Sequence, residues 1–246
     1  MESLGLTEGD IIHHVVKFGM DIYPTVEIPS ERTRLNIFYE EARTRQPELC
    51  EQLVASDREF RISREFRPPA NVSGPTLRVD TFVLAPRGPV FVIPVRLLDP
   101  IGPTGLEQRM FDGFKAPKAL FFSVIAERKI MRIGMIRDLI FSTGQSPCQN
   151  VLSGRKKFAG ADLKGGRALL VYRDDLCNVR LQFEPAEVMK TTKLPIGAEV
   201  AERQSFGLHV TLDVNNHEPK PLEDADIEQV IERASSLWPE KLLECF

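Results

Sequence analysis

The stretch Leu208-His209-Val210-Thr211-Leu212-Asp213-Val214 alternates apolar and polar residues without a break. Successive side chains of an extended strand point to opposite faces of a sheet, so Leu208, Val210, Leu212 and Val214 share one face and His209, Thr211 and Asp213 the other. That is the pattern of a half-buried strand. Its covering layer is written directly downstream. After Pro219-Lys220-Pro221, the residues Ile227, Val230, Ile231, Ala234, Leu237 and Trp238 recur at steps of three and four, which predicts an amphipathic helix. Glu223, Asp224 and Asp226 near its start complement the positive end of the helix dipole.

Upstream, Ala168-Leu169-Leu170-Val171-Tyr172-Arg173 and Val179-Arg180-Leu181-Gln182-Phe183-Glu184 flank a turn-type segment, Asp174-Asp175-Leu176-Cys177-Asn178, and read as a hairpin. Residues 77–84 alternate, and a second run over 89–97 begins after Arg87-Gly88, which predicts an antiparallel pair. Pro94 cannot donate to a ladder and predicts an edge position or a bulge. A Gly/Pro-rich connection follows over 99–105. Residues 119–141 form a nearly continuous apolar run interrupted by Glu127-Arg128-Lys129, read as two strands and a polar turn, with helix as the alternative. The β-rich segment 11–23 ends at Pro24 and predicts a first strand. Pro29-Ser30 then predicts a helix start with Ser30 as N-cap, and Leu35, Phe38, Tyr39 and Ala42 fall on one face. Pro47 should break that helix and leave a short second piece to about Val54.

The order strand, helix, several strands, helix lacks the regular alternation that builds a parallel sheet. The expected fold class is therefore α+β, a mostly antiparallel sheet packed with an N-terminal helix and a C-terminal amphipathic helix. At 246 residues the chain reads as a single α+β domain, 1–246, with 1–116 and 117–246 as the alternative subdomains. Hydrophobic residues at 42% and charged residues at 27% exclude disordered and fibrous classes. A net charge of −3 gives no global reason to seek nucleic acid or an anionic membrane. No apolar run approaches the roughly 20 residues of a membrane span. The first ten residues are acidic where a secretory signal needs positive charge, so the expected location is cytoplasmic. Cys50, Cys148, Cys177 and Cys245 contain no C-x-x-C pair and read as free thiols of a reducing compartment.

The opening strand with the following helix over 34–47 carrying Phe38 and Arg43, the run Arg132-Ile133-Gly134-Met135-Ile136-Arg137, and Leu212-Asp213-Val214-Asn215 ahead of the terminal helix resemble a sporadically distributed bacterial protein family of uncharacterised function. Where that family has an aromatic residue soon after its Arg-Ile-Gly strand, this chain has Asp138-Leu139-Ile140-Phe141. The resemblance implies a fold; it implies no catalytic residue.

No spacing commits the chain to a reaction, so no catalytic residue, cofactor or metal ligand is assigned. Residues 153–167 hold four glycines and five basic residues, Arg155, Lys156, Lys157, Lys164 and Arg167, against Asp162. As a basic loop, they would offer amides and cations to a phosphate or an acidic partner. The plainer reading is a solvated connection, because the order G-x-x-x-x-G-K-[ST] is absent. His209 and Asp213 lie on one strand face but about 13 Å apart, too far to ligate one metal. His13 and His14 point to opposite faces, Asp174-Asp175 is turn chemistry, His217 sits in a turn, and no G-x-S-x-G occurs. Trp238, Leu242, Leu243 and Phe246 cluster near the end as a candidate interface, although such stripes more often serve the core.

These readings lead to a non-enzymatic protein-interaction module, an adaptor or accessory subunit, whose partner is another protein or a second copy in a homo-oligomer. Charge contrast supports self-pairing: residues 155–167 carry five basic against one acidic side chain, net +4, and residues 223–244 carry seven acids against Arg233 and Lys241, net −5. The alternatives are a hydrolase or nucleotide-binding enzyme with a site assembled from dispersed residues, and a nucleic-acid binder acting through the basic loop 153–167.

Overall fold

Alternation in two central segments brings them together. β1 (Ile11–Tyr23) pairs along its length with β6 (Lys129–Thr143), from Ile11 opposite Phe141 to Tyr23 opposite Lys129. These strands are seen in a computed structural model that describes residues 5–47, 50–66, 77–95, 103–125, 128–143, 157–158, 161–162, 167–174, 176–193 and 199–245. The free edge of β1 takes β5 (Gly88–Pro94), and beyond it lie β4 (Leu77–Ala85), β3 (Phe60–Phe66) and β2 (Gln52–Ala55). The free edge of β6 takes β11 (Glu199–Asn216), then β10 (Cys177–Lys193) and β9 (Ala168–Arg173). Every neighbouring pair is antiparallel, giving one nine-stranded sheet in the order β2-β3-β4-β5-β1-β6-β11-β10-β9. The fold is α+β.

One face of the sheet is covered. The long helices α1 (Ile28–Arg45) and α2 (Pro103–Val124) pack on each other and on the β3 and β5 side, while α3 (Asp224–Ser235) packs on β6 and β11. Every second residue of the strands meets them: Val16, Phe18, Met20 and Ile22 from β1, Ile133 and Met135 from β6, and Leu212 and Val214 from β11 join Leu35, Phe38, Phe114, Phe121, Ile227 and Val230 in one core. Phenylalanine fills the thick part. Phe18 stacks on Phe114 at 4.2 Å between ring centres, and Phe121 meets Phe38 edge-on at 5.4 Å. Such contacts add to simple burial of the rings. Under the C-terminal segment a second cluster gathers Leu139, Phe141, Leu208, Val210, Trp238 and Leu242. The short helix α4 (Glu240–Leu243) supplies the last of these.

The helix α2 departs from the sequence reading. Residues 119–124, read as strand with helix as the alternative, are its final turns, and the strand begins only at Lys129. Met110, Phe114, Phe121 and Ile125 repeat at helical intervals toward the core, but Phe111 and Phe122 fill the gaps between them and Pro117 reads as a breaker, so the period is hidden. Residues 52–55, expected as a helical remnant, form β2 against β3. The N-cap of α1 is Glu27 rather than Ser30, whose hydroxyl instead donates back to the Glu27 carbonyl at 3.0 Å. Pro94 is at neither a sheet edge nor a bulge: it ends interior strand β5 opposite Val15, where a missing N–H costs little. Trp238 lies past the end of α3, in the turn before α4.

The junction of β6 with the chain after β11 is pinned by polar groups. Asn216 accepts the Ile133 N–H at 2.9 Å and donates to the Glu218 carbonyl at 2.7 Å. The backbone then runs on beside β6, with Leu222 N–H donating to the Ile130 carbonyl at 2.8 Å, and so delivers α3 to the covered face.

Candidate functional site on the bare sheet face

The described helices bury themselves against one side of the sheet, which leaves the other side to polar residues. Register sorts that side into rows across β10, β11, β6 and β1. One row runs Glu184, His209, Ile140, His13; the next Gln182, Thr211, Asp138, Val15; the next Arg180, Asp213, Ile136, Lys17; the last Asn178, Asn215, Gly134, Gly19. Residues on diagonals of such a lattice are within reach of long side chains.

The upper rows form a ladder of alternating basic and acidic side chains. Lys17 donates to Asp138 Oδ2 at 3.3 Å, His209 Nε2 lies 2.5 Å from Asp138 Oδ1, His209 Nδ1 lies 3.3 Å from Glu184 Oε1, and Arg167 Nε donates to Glu184 Oε2 at 2.9 Å. Both His209 contacts are hydrogen bonds when both ring nitrogens carry protons. Burial pushes the Asp138 carboxyl up, but the hydrogen bond from His209 and the charge of Lys17 outweigh it and hold the group below the ordinary carboxylate range. The hydrogen bond from Arg167, then that from His209, holds Glu184 low as well. Burial lowers His13, which shares the face with Asp138, His209 and Lys17. Asp138 is thus engaged by Lys17 and His209, and Glu184 by Arg167 and His209, so polar contacts tie β1, β6, β11 and β10 together across this face.

Two rows below the Asp138 row, the lattice opens into a trough. Gly19 and Gly134 stand directly opposite each other and contribute no side chains, so the floor is backbone. The depression has a volume of about 230 Å³, with Arg132, Arg180, Asp213 and Asn215 on one side and Asp21, Arg87 and Val90 on the other. Asn215 links two residues of the first wall, accepting from Arg132 Nη2 at 2.9 Å and donating to Asp213 Oδ1 at 3.0 Å.

The outer edge of the sheet is the third feature. Among the described residues nothing pairs with the free side of β9, and Leu169, Leu170, Val171 and Tyr172 on it are 55%, 39%, 60% and 53% exposed. The opposite edge, β2, is only four residues long. Beside β9, the β10–β11 hairpin outruns its neighbours. β9 ends its pairing at Phe183 and β6 at Phe206, yet β10 and β11 stay paired to Lys193 and Glu199. Among the described residues, 188–193 and their partners thus form a two-stranded ribbon roughly 20 Å long at about 3.3 Å per residue.

Of the basic-loop residues, Arg155, Lys156 and Lys164 lie outside the described residues, and Lys157 is described only as backbone of the short pair β7 (Lys157–Phe158) and β8 (Ala161–Asp162). Arg167 is the ladder's outer cation. Of the candidate interface residues, Trp238 and Leu242 are only 8% and 3% exposed and belong to the protein's own core, Leu243 packs partly against it, and Phe246 lies outside the described residues. As docking residues Trp238 and Leu242 are therefore corrected: His14 at 4.9 Å and the buried Arg137 guanidinium at 5.1 Å already face the Trp238 ring. His13 and His14 do part to opposite faces. Asp174 caps its turn, accepting from the Leu176 and Cys177 N–H groups, and ties the turn to Arg233 of α3 at 2.7 Å. His217 accepts from Arg173 at 2.6 Å. Cys177 and Cys245 are free and Cys50 is buried, while Cys148 lies outside the described residues.

Sequence reasoning missed Lys17, Asp138, Arg132 and the glycine floor. Their only local signal was the pair of glycines inside strand patterns, a sign of close approach at those positions. No described helix is long and apolar enough to cross a membrane, and no group of three or more metal-ligating side chains occurs among the described residues. Comparison with protein-family models, with curated proteins and with solved structures finds no match.

Proposed function

We propose that this chain is a non-enzymatic interaction protein, an adaptor or accessory subunit, that engages a second polypeptide along β9 and the neighbouring ribbon. The observation that carries the reading is the edge strand β9, six residues with four large apolar side chains exposed and no strand beyond it among the described residues. Unpaired N–H and C=O groups flanked by apolar side chains are a template for another strand, and natural sheets usually blunt such an edge with charge, proline or brevity. β2 follows that rule by being short; β9 does not. A two-stranded ribbon is marginal in water by itself, which gives the adjoining arm the same need for a partner. The family resemblance is compatible with this reading and assigns no activity.

The simplest partner is a second copy. Light scattering on the intact chain over a wide concentration series should show self-association that Leu170→Lys with Val171→Lys abolishes without loss of secondary structure. A monomer at every concentration, with β9 amides exchanging hydrogen as fast as a loop, would overturn the reading.

A further inference from the structure

The trough poses a question that the interaction reading leaves unanswered. Glycine weakens a strand, since it has no side chain to pack and loses more backbone freedom on folding than other residues. At Gly134 packing explains the choice, because an added Cβ would sit 3.3 Å from the Asn215 Cβ. At Gly19 it does not. A Cβ there would meet nothing nearer than Val90 Cγ2 at 3.9 Å, and the backbone is ordinary extended strand. What glycine provides at position 19 is empty space on the bare face.

The charges around that space are unevenly matched. Arg87 faces Asp21 at 3.6 Å, and Asp213 accepts from the Asn215 amide. Arg132 has a neutral partner, the Asn215 oxygen, and its Nε is buried with no acceptor among the described residues. Arg180, directly opposite Asp213 in the register, makes no ion pair there. Among the described residues, two guanidiniums without a paired carboxylate, set against Asp213, leave a surplus of one positive charge over a backbone floor. A half-buried guanidinium held only by a neutral amide is costly unless an anion completes it.

We propose that the trough is a binding site for a singly charged oxyanion, the carboxylate or phosphoryl group of a small ligand, held between Arg132 and Arg180 above Gly19. The planar five-donor guanidinium suits both groups, binding them through paired charge-assisted hydrogen bonds. Asp213 limits the charge the site accepts, and the apolar wall of Val90 and Ile136 takes the uncharged part of the ligand.

The test is a titration of the intact protein with acetate and, separately, dimethyl phosphate, at ionic strength held constant with chloride, read from the backbone amide resonances of Gly19, Gly134 and Asn215. A saturable shift at these three amides is expected, and the stronger of the two probes identifies the ligand group. Arg180→Ala, at an exposed side chain, should weaken binding about tenfold while amides of the covered face keep their positions. Gly19→Ala, for which there is room, should weaken it by filling the floor. Shifts no larger than chloride alone produces, or binding unchanged in both variants, would overturn the proposal.

Discussion

Asp138 of β6 and His209 of β11 meet at 2.5 Å on the bare face, with Glu184 on the far side of the same ring. The carboxyls of Asp138, Glu184 and Asp174 are all held below their ordinary values of 3.8, 4.5 and 3.8. A carboxyl lowered by folding contributes stability that is complete above its unfolded value and is lost as pH falls through its folded one. Urea midpoints should therefore stay level from neutral pH to about 5 and fall steadily below. In His209→Gln the Asp138 carboxyl loses the hydrogen bond that chiefly offsets its burial and rises toward its unfolded value, so the midpoint should be lower at neutral pH and the decline below about pH 5 shallower. An unchanged acid limb in that variant would show that the ladder contributes nothing to folding.

Gly88 begins β5 with φ at 156°, and a Cβ there would lie 2.3 Å from the Met20 carbonyl oxygen. That contact is with backbone, which cannot step aside. Gly88→Ala is expected to destabilise by at least about 2 kcal/mol, a fall of several degrees in melting temperature for a domain of this size. Gly19→Ala, by contrast, should leave the melting temperature nearly unchanged. Differential scanning calorimetry on the pair separates steric demand from mere position in a strand.

Trp238 joins the second core cluster to the buried end of β6, its ring against His14 and the Arg137 guanidinium. Trp238→Ala should cost about 3–5 kcal/mol in chemical denaturation. Leu243→Ala, at a partly exposed neighbour, should cost far less. Equal losses would mean that the C-terminal segment is not anchored where it lies.

Cys177 is fully buried at the start of β10, and burial, reinforced by the nearby Asp174 charge, pushes its thiol up to about 11. Only thiolate reacts with disulfide reagents. At mildly alkaline pH Cys177 should be labelled no faster than the protein unfolds, whereas exposed Cys245 should be labelled in the native state, although burial raises its thiol too. Peptide mapping by mass spectrometry after timed labelling checks the order.

The sheet was legible wherever one side of a strand meets water. Residues 208–214 and 179–184 spelled out their strands because polar residues mark the bare face and apolar ones the core. The helix over 103–124 was not legible, since α2 sits between α1 and the sheet and uses phenylalanine on more than one side, which erases the amphipathic contrast. Residues 52–55 were misread for a related reason: an edge strand that short carries too few residues to show a period. The ladder and the trough were invisible for another reason. Lys17, Asp138 and His209 lie more than seventy residues apart in pairs such as Asp138 and His209, and only the antiparallel register of three strands makes them neighbours. Turn chemistry at Asp174 was readable because its partners are two and three residues away.

β10 and β11 are unbroken strands of 17 and 18 residues, and the same two backbones supply the protruding ribbon, the neighbours of the exposed edge and the wall that holds Asp213 and Asn215. The one irregularity between ribbon and sheet is the bulge at Val188 and Met189, where extra local twist aims the arm. Under the proposed reading, a polypeptide seated on the ribbon would grip the same two backbones that wall the glycine-floored depression, so both features hang on one continuous hairpin.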